Sequence, residues 1–375
     1  MSASLQNNIA SKGGATTMFK RHARFIAVAG LAGSVAAVAA LDASAQDRVR
    51  WKMSSAFGSA IPVLGSTGVA FSERVEQMSG GNFQIKFHEP GALVPGAKEF
   101  EPTAKGSIDA GWTTPGYHTH VFGGAVAFFT AVPFGPQIGE FQAWKLYGGG
   151  NELREELYNP RGATAIDSFC IGPETSGWFR EEVTNPEEFF KGLKMRFFGL
   201  GAQVMQKMGV STQLLAGADI FPALEKGVID ATEFSMPITD IKYGFHQVAS
   251  FNYFPGWHQQ VSCSELLMNT EKWDALPDAY KAMVEAALYE QVLKGYAETE
   301  ATNPVAMIEM AEKHGVQVRR WDDGTLATLE RAWLEVIDEE SAKDETFKKI
   351  ADSYLGFRKT YAIWGDAQLL KGTYQ

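Results

Sequence analysis

Residues 96–110 read GAKEFEPTAKGSIDA, and residues 217–231 read GADIFPALEKGVIDA. Eight of the fifteen aligned positions are identical, among them Gly96/Gly217, Phe100/Phe221, Lys105/Lys226, Gly106/Gly227 and the closing Ile-Asp-Ala. Each copy has the makings of a short helix stopped by a glycine, then a strand starting at Ile-Asp-Ala. The copies stand much further apart than the roughly 20–50-residue period of solenoids. Two α/β units of similar build, one in each of two domains, explain the recurrence. A chain of 375 residues has room for about two domains.

The N-terminus belongs to neither unit. Lys20, Arg21 and Arg24 precede the small-residue apolar run FIAVAGLAGSVAAVAAL, and Ala43-Ser44-Ala45 follows as an A-x-A cleavage site. That order is a secretory signal over 1–45, with an extension before Met18. The run is short for a membrane span. Past residue 45 the chain carries 30 basic and 43 acidic residues, which leaves no basic stripe for nucleic acid. Export permits disulfides, and one bridge between Cys170 and Cys263 is possible. Both cysteines lie in apolar strand-like runs, however, so buried free thiols are expected.

Helical and strand patterns then alternate. Strands are expected over 50–55, 82–87, 163–172, 193–198, 264–268 and 316–321, and helices over 60–78, 137–157, 202–208 and 277–314. Residues 326–361 read as helix with a charged break near Lys343-Asp344. The alternation argues for an α/β chain with parallel or mixed sheets.

Ligands of open α/β sheets bind beyond the carboxyl ends of the strands. Three such ends stand out: Trp112-Thr113-Thr114, Thr232-Glu233-Phe234, and Arg196 before Phe197-Phe198-Gly199. A guanidinium next to a helix N-terminus is a natural carboxylate receptor; the alternative is a surface arginine on a half-exposed strand. Gly199-Leu200-Gly201 starts a G-x-G turn, but the third glycine of a nucleotide fingerprint is replaced by Val204. His118 and His120 have a metal-like spacing without a third partner nearby in sequence, so they read as a loop pair. Trp112, Tyr117, Trp178 and Trp257 follow strand ends or turns where apolar ligand walls are common.

The runs FEPTAKGSIDAGW, FFTAVPFG, SGWFREEV, FKGLKMRFFGLGAQVMQKMG, LEKGVIDATEF and FPGWHQQ, in this order, resemble the DctP-type periplasmic receptors of TRAP transporters over essentially the whole chain past the signal. Within that family the likeness is to the α-keto acid and lactate branch. The resemblance implies a two-domain clamp with mixed sheets, a long helix spanning both domains and an extra C-terminal helix. It divides the chain into 46–170 with 235–275, 171–234 with 276–323, and a helical segment 324–375. It implies a non-enzymatic receptor in the periplasm that binds a small 2-oxo or 2-hydroxy monocarboxylate and delivers it to TRAP membrane subunits. Arg196 takes the family's carboxylate-binding position, with Glu174, Phe234, Trp112 and Tyr117 around the substrate. A bridging Na⁺ or Ca²⁺ falls to Glu174, Glu233, Gln259 and the Phe234 carbonyl, all oxygen donors suited to hard cations. Here Glu174 stands for the branch's Gln, Gln259 for its Glu, and Phe234 for its Trp. The C-terminal helix implies a homodimer contact. Two other readings stay open on residues alone: an exported sensory binding protein, and a secreted hydrolase.

Overall fold

The structure, a computed structural model, describes residues 48–368; the expected signal peptide and residues 369–375 lie outside the described residues. The described strands are β1 (Val49–Ser55), β2 (Phe83–His88), β3 (Ala110–Thr113), β4 (Ala163–Ile171), β5 (Gly177–Phe179) and β6 (Lys194–Arg196). They continue as β7 (Ser211–Gln213), β8 (Ala231–Thr232), β9 (Phe251–Phe254), β10 (Ser262–Asn269) and β11 (Gln317–Arg320). One sheet has the order β2-β1-β3-β10-β4 and the other β11-β9-β5-β8-β6-β7. Both are mixed: β10 runs antiparallel to β3 and β4, and β5 runs antiparallel to β8 and β9.

The repeat accounts for the shared geometry of the two sheets. Asp109 donates its backbone N–H to Lys52 O (3.1 Å), and its carboxylate accepts the Lys52 N–H (2.6 Å). Asp230 makes the same pair of bonds to Lys194, at 2.7 and 3.0 Å. Each aspartate thus pins its strand to a parallel neighbour, β3 to β1 and β8 to β6. The glycine before each joint, Gly106 or Gly227, has φ of +73° or +68°, the left-handed turn that ends a helix at little steric cost. Ile108 and Ile229 bury their side chains beside the joints.

Three connections cross between the sheets: 172–176 from β4 to β5, 255–261 from β9 to β10, and the helix Asp278–His314. That long helix packs on β4 and on the helix Ser66–Met78 at one end and on the helix Pro237–Tyr243 further along. It runs through Pro304 without a break. The last two helices, Asp323–Lys343 and Glu345–Gln368, pack on each other and break at Asp344.

Several expectations need correction. The helix expected over 60–78 starts only at Ser66, after turns. The one expected over 137–157 is two, Ile138–Tyr147 and Gly150–Tyr158, because Gly149 is left-handed at φ +90°. The division that gave 235–275 to the first lobe placed β9 there, yet β9 hydrogen-bonds between β11 and β5 in the second sheet. The chain crosses back only at 255–261.

The cysteines, expected as free thiols, form a disulfide. Each sits in an apolar strand as read, but the two strands are antiparallel neighbours and Cys263 is the register partner of Cys170. Their Cα atoms lie 4.1 Å apart.

Candidate functional site

Arg196 is the last residue of β6, and the helix Gly199–Lys207 begins three positions later. The side chain is buried to 1% exposure. Its Nη1 donates to Glu233 O (2.9 Å) and Glu233 Oε1 (2.6 Å), and its Nε donates to Leu215 O (3.2 Å). Nη2 has no acceptor among the described residues. The Phe234 ring centroid lies 5.1 Å from the guanidinium carbon and that of Phe198 5.8 Å, within cation–π range. Glu233, immediately after β8, also receives the Phe198 N–H at 2.5 Å. The joint built by the second repeat copy therefore delivers Glu233 directly beside the arginine.

The opposite wall comes from the crossing segments. Gln259 Nε2 donates to Glu174 Oε2 at 2.9 Å, and the Glu174 backbone N–H donates to Gln259 O at 3.1 Å. His258 Nε2 stands 3.4 Å from Glu233 Oε2 and 3.7 Å from Glu174 Oε2. Glu174, Glu233 and His258 bring their ligand atoms within 4.8 Å of one another, all buried. Glu233 Oε2, Gln259 Oε1 and both His258 nitrogens lack hydrogen-bond partners among the described residues.

Burial dominates the proton affinities here, and charge pairing corrects it. Burial, reinforced by the Glu233 charge, pushes Glu174 up to about 7. Burial also works to raise Glu233, but Arg196 and His258 outweigh it and hold the carboxyl below its ordinary value. His258 is pulled down by burial and more strongly up by the two glutamates, to about 9. A polar atom buried without a partner costs roughly 1–3 kcal/mol. Two of these orphans, Glu233 Oε2 and Gln259 Oε1, are oxygens, and with the Glu174 carboxylate they are the donor types that suit a hard cation.

The cavity beside Arg196 measures about 30 Å³ at the centres of water-sized spheres. One water needs roughly 10–15 Å³ on that measure, so the space suits a ligand of a few heavy atoms. Phe57, Tyr117 and Phe169 line it from the first lobe, and Phe198 and Phe234 from the second. Ser235, Ser262 and Ser264 add hydroxyls.

Arg196, Glu174, Glu233, Gln259, Phe234 and Tyr117 therefore meet at one place. Tyr117 packs edge-on against Phe198 at 5.4 Å, and burial raises its phenol to about 12, so it stays a neutral donor. Trp112 does not join them. Its ring is fully buried between Phe71 and Phe169, and its Nε1 donates to Leu64 O. Strand alternation turns it under the helix Ser66–Met78, and Phe169 takes the wall above it. Trp178 and Trp257 are core residues too: Trp178 donates to Asp240 Oδ2 at 2.7 Å, and Trp257 stacks on Phe134.

His118 and His120 diverge, the first to buried Glu265 and the second to Glu101. The sequence reading missed His258, although it lies inside the FPGWHQQ run. Its only sequence signal is a polar imidazole between Trp257 and Gln259 in an otherwise buried stretch.

The model of the family described as bacterial extracellular solute-binding protein, family 7 (DctP), matches residues 53–344. The chain is 31% identical over 317 residues to a monocarboxylate 2-oxoacid-binding periplasmic protein of Nostoc, covering 84% of this chain and 86% of that one. Its structure is similar to a TRAP transporter solute-binding protein of Bordetella bronchiseptica, with TM-score 0.83, 31% identity and coverage of 86% and 95%. That protein is a mixed-occupancy dimer with copurified calcium and picolinate in its active site. A Pseudoalteromonas atlantica TRAP periplasmic solute-binding protein with bound sodium and pyruvate is also similar, with TM-score 0.81, 28% identity and coverage of 86% and 97%. The chain thus belongs to the DctP family of bacterial extracellular solute-binding proteins, receptors of TRAP-type transport and not enzymes.

Proposed function

We propose that this receptor binds a small 2-oxo or 2-hydroxy monocarboxylate between its two lobes, with Arg196 on the carboxylate and a Na⁺ or Ca²⁺ beside it. The observation that carries the reading is a buried arginine with an unpaired Nη2, bonded to Glu233 and lining a cavity of about 30 Å³ together with Glu174 and Gln259. Relatives with sodium and pyruvate, or calcium and picolinate, support it.

With Glu174 ionised, two glutamates and a ligand carboxylate set three negative charges against two positive ones, on Arg196 and on His258, which the glutamates raise to about 9, so one further positive charge completes the balance. Glu174, Glu233, Gln259 and the Phe234 carbonyl would hold the cation, which supplies that charge when bound. Arg196 orients the ligand through Nη2 while Glu233 fixes the guanidinium plane. Tyr117 closes over the ligand from the first lobe, and the aromatic rings exclude water.

The basic residues, apolar run and Ala43-Ser44-Ala45 of the N-terminus support export of the mature chain to the periplasm, where TRAP membrane subunits receive the ligand. Ile363 and Trp364, 77% and 61% exposed on the last helix, support a homodimer contact there. The test is calorimetric titration of the purified protein with pyruvate and lactate, with and without Ca²⁺ or Na⁺. Binding that strengthens when either ion is present supports the reading. Absence of binding to every small monocarboxylate tried, ions present, overturns it.

A further inference from the structure

The segments 172–176 and 255–261 cross between the sheets side by side. They are tied along their length. Glu174 N–H bonds Gln259 O, the Glu174 and Gln259 side chains meet at 2.9 Å, and just before the second segment Tyr253 O of β9 accepts the Ser176 N–H at 2.7 Å. Gly256 fits only without a side chain, since a Cβ there would stand 2.1 Å from Glu174 O.

Both segments leave the first sheet through the disulfide. Cys170 is the penultimate residue of β4 and Cys263 the second of β10. Ile171, Ser262 and Ser264, their chain neighbours, line the cavity. Glu174 comes four positions after Cys170, and Gln259 four before Cys263. The β4–β10 register shifts between Cys263 and Glu265, so the ladder is interrupted beside the bridge. A covalent tie stands where the backbone ladder is weakest and where the binding wall begins.

We propose that the Cys170–Cys263 disulfide is a positioning element of the binding site. It holds the roots of the two crossing segments at a fixed spacing, so that Glu174 and Gln259 meet in the geometry that receives the ligand. The proposal rests on the ligand reading above. A bridge that only restricts the unfolded chain, across its separation of 93 residues, would lower thermal stability on removal and leave affinity alone.

The variants are Cys170→Ser/Cys263→Ser and, should buried hydroxyls prevent folding, Cys170→Ala/Cys263→Val. Phe83→Leu, at the far edge of the first sheet, is the control for lost stability. Calorimetry with pyruvate and Ca²⁺ gives affinity. Hydrogen exchange of the ligand-free protein at the Glu174 and Ser176 amides gives hinge order without reference to any ligand.

The expected result is a Kd at least tenfold weaker in the bridge variants, with exchange at those two amides at least tenfold faster relative to β1 and β2. Phe83→Leu should change neither. Wild-type affinity and wild-type local exchange in a bridge variant, beside a lowered Tm, overturn the proposal. So do two free alkylatable thiols in the exported wild-type protein. If the wild type binds no monocarboxylate, the ligand reading fails by itself, and the exchange readout still decides whether the bridge orders the hinge.

Discussion

Replacing Arg196 by lysine separates charge from geometry at the proposed carboxylate receptor. Arginine here spends Nε on Leu215 O and Nη1 on Glu233, leaves Nη2 unpaired, and lines the cavity. A lysine ammonium has three N–H donors at one point. Pairing it with Glu233 keeps that carboxylate compensated, so the fold should survive, but no second donor nitrogen remains for the ligand. The loss is about one charge-assisted hydrogen bond, ~1.5–3 kcal/mol, or roughly a ten- to hundredfold weaker Kd.

Arg196→Ala goes further. It also removes a unit charge at about 4 Å, worth ~4 kcal/mol at an effective dielectric of 20. Binding should then fall about a thousandfold or more. It also leaves Glu233 buried without its main partner, at a stability cost of ~3–5 kcal/mol. Calorimetry with pyruvate and Ca²⁺, and thermal melts of each ligand-free variant, give the two numbers independently. A lysine variant that binds within twofold of wild type would refute the reasoning, because it would mean that the planar fork of Arg196 does not touch the ligand.

Three other outcomes follow from the geometry. Gly256→Ala should destabilise the protein by at least ~2 kcal/mol in urea unfolding, because its Cβ would press on the Glu174 carbonyl, which is backbone and cannot swing away. Glu99 is buried, and that burial raises its carboxyl from the ordinary 4.5 to about 7. Between those values the folded state keeps a proton that the unfolded state has lost, so stability should fall as pH rises from about 4.5 to 7, by ~3 kcal/mol, and Glu99→Gln should flatten that slope in pH-dependent melts. Ile363→Asp with Trp364→Asp should convert a dimer to a monomer in sedimentation velocity; a wild-type protein that sediments as a monomer would remove the C-terminal contact from the picture.

Much of the second-lobe site is local in the chain and was therefore legible. The Lys-Gly-x-Ile-Asp-Ala joint sets where β8 ends, and that end dictates that Glu233 follows and meets the Arg196 strand. Residues from the crossing segments were harder to place. Glu174 and Gln259 were assigned by family likeness, and His258 was passed over, because their proximity depends on two segments more than eighty positions apart running side by side. The disulfide was misjudged for the same reason. Apolar surroundings describe one cysteine at a time, whereas bonding depends on a strand register that composition does not encode.

The two copies of the repeat also end differently, and the difference follows from strand length. β3 continues for four residues after Asp109, so alternation carries Trp112 into the layer beneath the helix Ser66–Met78. β8 stops after two residues, and the chain turns out of the sheet at Glu233. The same aspartate clasp thus yields a core tryptophan in one sheet and a buried carboxylate in the other. In the first lobe the cavity wall falls instead to Tyr117, beyond the strand, and to Phe169, stacked over Trp112. Duplicated joints supply two similar frames, and the asymmetry of the binding site comes from where each strand lets the chain go.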